Sequence, residues 1–168
     1  MAEINIRELN RKALLDPAGL VSEAEERYKG FVAKIAERIA ENDNIRIILL
    51  AGPSGSGKTT TANLLADGIR ARGLVSSVIS LDNYYRDSDD PKYPRLPDGE
   101  RDFESVEALD LEELEKTLID ISEGREYTVP YYDFKVGGRT ELNNYPKILH
   151  GCVIIEGLHA LNPRICEH

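Results

Sequence analysis

Three observations predict an α/β fold, with a doubly wound, mostly parallel sheet flanked by helices. The first is a set of short apolar runs of strand length, at residues 44–51, 74–81 and 152–155. The second is that helical periodicity fills the sequence between them. The third is a glycine-rich turn, Gly52-Pro53-Ser54-Gly55-Ser56-Gly57, set between the first run and a helix.

Composition narrows the function classes. At 168 residues, the chain is one domain with room for a core. It is 41% hydrophobic and 30% charged, as expected of a globular protein in water. A net charge of −9 argues against a nucleic-acid backbone as partner, and no apolar run reaches the length of a membrane span. Met1-Ala2-Glu3-Ile4-Asn5 lacks the basic and apolar character of a signal segment. Two cysteines, Cys152 and Cys166, build no disulfide framework, so a cytoplasmic location is expected. His150, His159 and His168 have no metal-ligand spacing.

The elements follow in order. Residues 1–21 read as a polar N-terminal arm broken at Pro17 and Gly19. Ser22 with Glu25 forms a capping box, and Tyr28, Phe31, Val32, Ile35 and Ile39 recur at helical spacing, which predicts a leading helix at about 22–42. That helix is placed to pack on the sheet or on a partner chain, which leaves a homo-oligomer open. Residues 44–51 are the first strand, and residues 60–72 a helix stopped by Gly73. Residues 74–81 are the second strand and end at Asp82-Asn83-Tyr84-Tyr85. Residues 86–104 form a long polar loop. Asp110 and Glu113 cap a helix that carries Leu111, Leu114, Leu118 and Ile121 and ends at Gly124. Residues 127–134 contain Pro130 and are an edge strand at best. The third buried strand, at 152–155, ends at Glu156-Gly157.

The turn carries chemistry. Gly52 to Thr59 fits G-x-x-x-x-G-K-[ST], the Walker A phosphate loop, which makes the fold P-loop NTPase-type. Its glycines let successive backbone N–H groups face one anion, and the helix that follows adds its positive end. Gly52, Ser54, Gly55, Ser56, Gly57, Lys58, Thr59 and Thr60 are thus the expected ATP phosphate site. Lys58 reaches the β- and γ-phosphates, and the Thr59 hydroxyl ligates Mg²⁺. In an open parallel sheet, ligands sit beyond the carboxyl ends of the strands. Two carboxylates stand there, Asp82 after the second strand and Glu156 after the third. Phosphoryl transfer needs one carboxylate for the metal and another to accept the proton of an attacking hydroxyl. Tyr84, Tyr85, Tyr131, Tyr132 and Phe134 are available to stack on a flat ring.

The ordered set of segments resembles the uridine kinase and phosphoribulokinase family of P-loop kinases. The segments are Gly52 to Thr60, Asp82-Asn83-Tyr84-Tyr85, Asp102-Phe103-Glu104 through Ala108-Leu109-Asp110, Pro130 to Phe134 with Arg139, and Val153 to Gly157. In style the chain is most like the bacterial nucleoside kinases of that family. The resemblance implies transfer of the ATP γ-phosphoryl group to the primary hydroxyl of a nucleoside, over a kinase domain at 22–168. By position, Asp82 is implied as general base and metal assistant, with Thr59 and Glu156 on Mg²⁺. Tyr84, Phe103, Glu104, Tyr132, Phe134 and Arg139 are implied on the acceptor side. Gly137 stands where the family's uridine kinases carry a base-reading His, so uracil or cytosine is not implied. Family members also continue past the Glu-Gly strand with more helices, two strands and an arginine-bearing lid. The resemblance therefore implies a C-terminally truncated fold whose phosphate-loop strand is an apolar edge. Two alternatives accompany this reading: a kinase for another hydroxyl substrate, such as a sugar phosphate or pantothenate, and a non-catalytic nucleotide-binding module.

Overall fold

Apolar residues on both faces of one strand organise the fold. The computed structural model describes residues 5–167. Its parallel sheet has the order β1 (Ile47–Ala51), β5 (Gly151–Gly157), β2 (Val75–Ser80). The central β5 is buried over nearly its whole length. Its side chains alternate between two cores. Val153 and Ile155 face one with Ile79, while Cys152 and Ile154 face the other with Ile69 and Leu65. A strand covered on both faces reads as a continuous apolar run, which is why these strands stand out in the sequence.

The second core is closed by α3 (Lys58–Arg70) and α2 (Pro17–Ala40). Val32, Ala36 and Ile39 of α2 are its buried stripe. A Cβ on Gly68 of α3 would lie 2.9 Å from the Ala36 Cβ, so the two helices approach closely. The first core is closed by α4 (Leu111–Ser122) and by an antiparallel hairpin of β3 (Tyr127–Asp133) and β4 (Gly138–Tyr145). Asp110 caps α4 and accepts from the Glu113 N–H at 3.3 Å.

Several elements differ from the sequence reading. The leading helix starts at Pro17, not near Ser22. Asp16 is its N-cap and accepts from the Gly19 N–H at 2.9 Å, and Pro17 occupies the first turn, where a missing N–H costs nothing. Ser22 therefore lies inside the helix. Residues 6–15, read as part of an arm, form α1 (Ile6–Leu15), capped by Asn5 and tied to α2 by Lys12–Glu23 at 2.8 Å. The hairpin's second strand was not anticipated. β4 is largely exposed and carries Arg139, Glu141, Asn143 and Asn144, so no apolar alternation marks it.

Among the described residues, β1 pairs only with β5. Its outer side forms an apolar recess of about 200 Å³ lined by Ile47, Leu49, Leu118, Ile119 and Ile165. No described helix is long and apolar enough to cross a membrane.

Gly151 opens β5 at φ 134°, where a Cβ would stand 1.8 Å from the Val75 carbonyl oxygen. Gly151→Ala must push β5 off β2 and should lower unfolding stability by about 2–3 kcal/mol, read as the shift of the urea midpoint. An unchanged midpoint would show that the strand start can relax.

Candidate active site

Strand register brings the three chemistry-bearing turns to one end of the sheet. Glu156 lies opposite both Leu50 of β1 and Ser80 of β2, and Gly157 opposite Ala51. The phosphate loop, the turn of Asp82 and the turn after Glu156 thus leave the sheet side by side.

The loop is shaped by its glycines. Gly55 and Gly57 adopt φ of 72° and 84°, in the left-handed region. A Cβ on Gly52 would stand 2.8 Å from the Ser56 Oγ and 3.2 Å from the Lys58 Cγ. Gly57 is the N-cap of α3 and offers no side-chain acceptor to the helix. The first N–H groups of α3 are therefore available to an anion. Lys58 Nζ donates to the Pro53 carbonyl at 3.0 Å, which curls the side chain over the loop.

Thr59 Oγ1 donates to Glu156 Oε1 at 3.0 Å, although the two are 97 positions apart. Glu156 is 5% exposed. A hydroxyl and a carboxylate in contact at the end of a sheet are hard oxygen donors that suit Mg²⁺, which keeps waters and phosphate oxygens as its other ligands. No group of three or more His, Cys, Asp or Glu side chains is assembled as a metal cage among the described residues. Asp82 lies in the 3₁₀ turn that follows β2, and its N–H donates to the Ser80 Oγ at 3.3 Å. Desolvation, and after it the negative charge of Glu156, push the Asp82 carboxyl above its ordinary 3.8, while Lys58 and His159 pull the other way.

Lys58 and Asp82 open on a cleft of about 340 Å³. Ser54 of the loop lines it with them, together with Tyr85, Phe103, Glu104, Phe134 and Leu158. Phe103 and Phe134 expose their rings, 43% and 58%. Tyr85 holds both, with ring centroids 6.1 Å from Phe103 and 5.8 Å from Phe134, and its hydroxyl donates to the Phe103 carbonyl at 2.9 Å. Asp102 accepts from the Glu104 and Ser105 N–H groups and so sets the turn that presents Phe103 and Glu104.

Three residues expected on the acceptor side lie elsewhere. Tyr84 is fully buried in the first core, because the 3₁₀ turn rotates Tyr85 rather than Tyr84 toward the cleft. Tyr132 is 4% exposed and backs Tyr85 and Phe134 at 5.8 and 4.9 Å. Arg139 is bound within the protein. Its guanidinium pairs with Asp110 at 3.0 Å, with Glu113, and with the Tyr85 carbonyl at 3.2 Å. It is a positioning residue that joins the hairpin to α4 and to the turn after β2. Leu158 was absent from the expected site, and Tyr85 was named only as one of five aromatics available for stacking. The paired tyrosines were visible, but strand periodicity gives no phase through a 3₁₀ turn.

Comparison with known proteins gives the family. A model of the phosphoribulokinase/uridine kinase family matches residues 47–166. The chain belongs to that family. It is 34% identical over 119 residues to a uridine kinase of Schizosaccharomyces pombe, covering 70% of this chain and 25% of that one. It is also 34% identical over 140 residues to the inorganic pyrophosphatase TTM2 of Arabidopsis thaliana, covering 82% of this chain and 19% of that one. It thus spans about a quarter or less of these curated relatives. A solved structure described as a possible uridine kinase from Bacillus stearothermophilus superposes with a TM-score of 0.62 at 20% identity, over 85% of this chain and 77% of that one, and so shares the fold.

Burial alone would raise the Asp110 carboxyl, but the Arg139 guanidinium and the Glu113 N–H outweigh it and hold it below 3.8. A carboxyl lowered by folding stabilises above its unfolded value and loses that contribution as pH falls through its folded one. Arg139→Gln should therefore cost about 2 kcal/mol at pH 7 and less at pH 3, by urea unfolding at both. An equal cost at both would assign the loss to packing.

Proposed function

We propose that this chain transfers the γ-phosphoryl group of ATP, with Mg²⁺, to the primary hydroxyl of a nucleoside or a similar small acceptor. The observation that carries the reading is one cleft lined by Ser54 and Lys58 of the phosphate loop, by Asp82 and by an exposed aromatic platform, with the Thr59–Glu156 hydrogen bond at the same end of the sheet. Family membership and the identity to a uridine kinase support it.

In this reading the loop amides and Lys58 hold the phosphates. Thr59 and Glu156, with Asp82 beside them, hold the metal. A bound Mg²⁺ neutralises charge on the phosphate oxygens. The acceptor ring lies against Phe103 and Phe134, and Glu104 takes a sugar hydroxyl. The acceptor hydroxyl attacks the γ-phosphorus, a new P–O bond forms, the bond to the β-phosphate oxygen breaks and ADP leaves. The hydroxyl proton passes to the Asp82 carboxylate. The upward push on Asp82 fits this role, since a base works best when its proton affinity is near the working pH. A reducing, cytoplasmic setting fits the free cysteines, Cys152 and Cys166.

The test is ADP release with Mg²⁺–ATP across uridine, cytidine, adenosine, guanosine and pantothenate. One acceptor should stimulate release, and Lys58→Ala should abolish it. Asp82→Asn should lower kcat by on the order of 10²–10⁴ while ATP binding, measured by calorimetry, persists. Full turnover by Asp82→Asn would remove Asp82 as the base. Phe103→Ala should raise KM for a planar acceptor by about tenfold, and an unchanged KM would remove the platform.

A further inference from the structure

Helix α2 carries two apolar stripes, and α3 covers one of them. Val32, Ala36 and Ile39 are buried in the second core. Val21, Ala24, Tyr28 and Phe31 recur at a spacing of three and four and share another face. All four are exposed, Val21 at 58%, Tyr28 at 40% and Phe31 at 63%. A bare apolar stripe with two aromatic rings is a surface that calls for an occupant.

Packing sets where that stripe lies. The two helices run in the same direction, since Tyr28 meets Thr61 and Ala36 meets Gly68. Residues 17–27 of α2 precede Tyr28, whereas only residues 58–60 of α3 precede Thr61. α2 therefore overruns the start of α3, and with it the phosphate loop, by about 12 Å at the rise of an α-helix. The Thr61 Oγ1 donates to the Gly57 carbonyl at 2.9 Å, so in its contact with the Tyr28 hydroxyl the tyrosine is the donor. Two hydrogen bonds in series thus tie the Tyr28 ring to the last glycine of the loop. In phosphoryl transfer the attacking and leaving oxygens are roughly in line, so acceptor and leaving ADP lie on opposite sides of the γ-phosphorus. The acceptor platform belongs to the hairpin side of the sheet, and α2 and α3 cover the other face. The base of a nucleoside triphosphate stands a phosphate and a ribose beyond the β-phosphate, a span of roughly one to two helical turns. Thr61, where Tyr28 docks, is about one turn into α3 from Gly57.

We infer that α2 holds the base of the phosphate donor, stacked on the Tyr28 ring, with Ala24 and Phe31 one turn away on either side. The stripe carries a single polar group, the Tyr28 hydroxyl, and Thr61 engages it. It offers a ring and no reader of a base edge. Stacking tolerates any base, because every base has a π-face. The donor is thus a nucleoside triphosphate held by the flatness of its base, adenine and guanine alike. The choice of side rests on the phosphoryl-transfer reading, but the stacking contact needs no turnover.

Calorimetric titration with Mg²⁺ tests this with ATP, GTP and inorganic tripolyphosphate, which has the phosphates without a base. ATP and GTP should bind within about threefold of each other. Tyr28→Ala should weaken both by about tenfold, the size of one stacked base, and leave tripolyphosphate unchanged. Tyr28→Phe, which keeps the ring and loses the hydroxyl, should bind both nucleotides nearly as the parent chain does. An equal loss for all three ligands would assign Tyr28 to shaping the loop and overturn the inference. So would an undiminished affinity in Tyr28→Ala, or a preference of about tenfold or more for one purine. If Tyr28→Ala changes the mass in solution by light scattering and not the nucleotide affinity, the stripe belongs to a second copy and the inference falls. Absence of binding by all three ligands removes the phosphate site and the inference with it. If ATP binds through Tyr28 yet no acceptor stimulates ADP release, the inference stands and the transfer reading falls.

Discussion

The hydrogen bond from Thr59 to Glu156 is the constraint on which the rest depends. It joins the first residues of α3 to the end of the central strand. Glu156 is 5% exposed and has strands on both sides. A carboxylate there is costly to desolvate unless it is paired. The hydroxyl supplies that pairing within the protein, and in the proposed reaction a cation shares it. Everything that holds β5 in place, on either face of the sheet, also holds this carboxylate against the phosphate loop.

The two cores divide the labour. The α2–α3 side fixes the helix that follows the loop, and hence the amides that would face phosphate. The α4–hairpin side fixes the turn after β2 and the aromatic platform. Stability and site geometry are therefore not separable on that second side. Tyr84 spends its ring in the core while its neighbour Tyr85 braces Phe103 and Phe134.

Much of this was legible because burial on both faces writes a plain apolar signature. β1 and β5 appear as such runs, β2 is a mixed run with three serines, and the loop between β1 and α3 carries residue types whose positive φ and charge a plain turn does not need. The hairpin strand β4 was hidden, since it is polar and most of its residues face water. Its register on β3 is set by tertiary packing that local sequence does not encode. The start of α2 was misplaced for another reason. Pro17 read as a break, whereas at a helix's first turn it is a start. The family resemblance implied Arg139 as a substrate contact or as a residue standing behind one; two nearby acids, Asp110 and Glu113, bind its guanidinium.

Arg139 also clamps separate segments together. Its one side chain grips the α4 cap through Asp110 and the backbone of Tyr85, three residues beyond Asp82. Its own backbone N–H donates to Asp87 at 2.8 Å, and the Ser88 N–H donates to the Gly137 carbonyl at the hairpin tip, also at 2.8 Å. The hairpin and the segment that follows Asp82 are thus cross-linked by three hydrogen bonds. In the proposed reaction, a guest resting on Phe134 would sit on the same cross-linked piece as the carboxylate that would take up the proton.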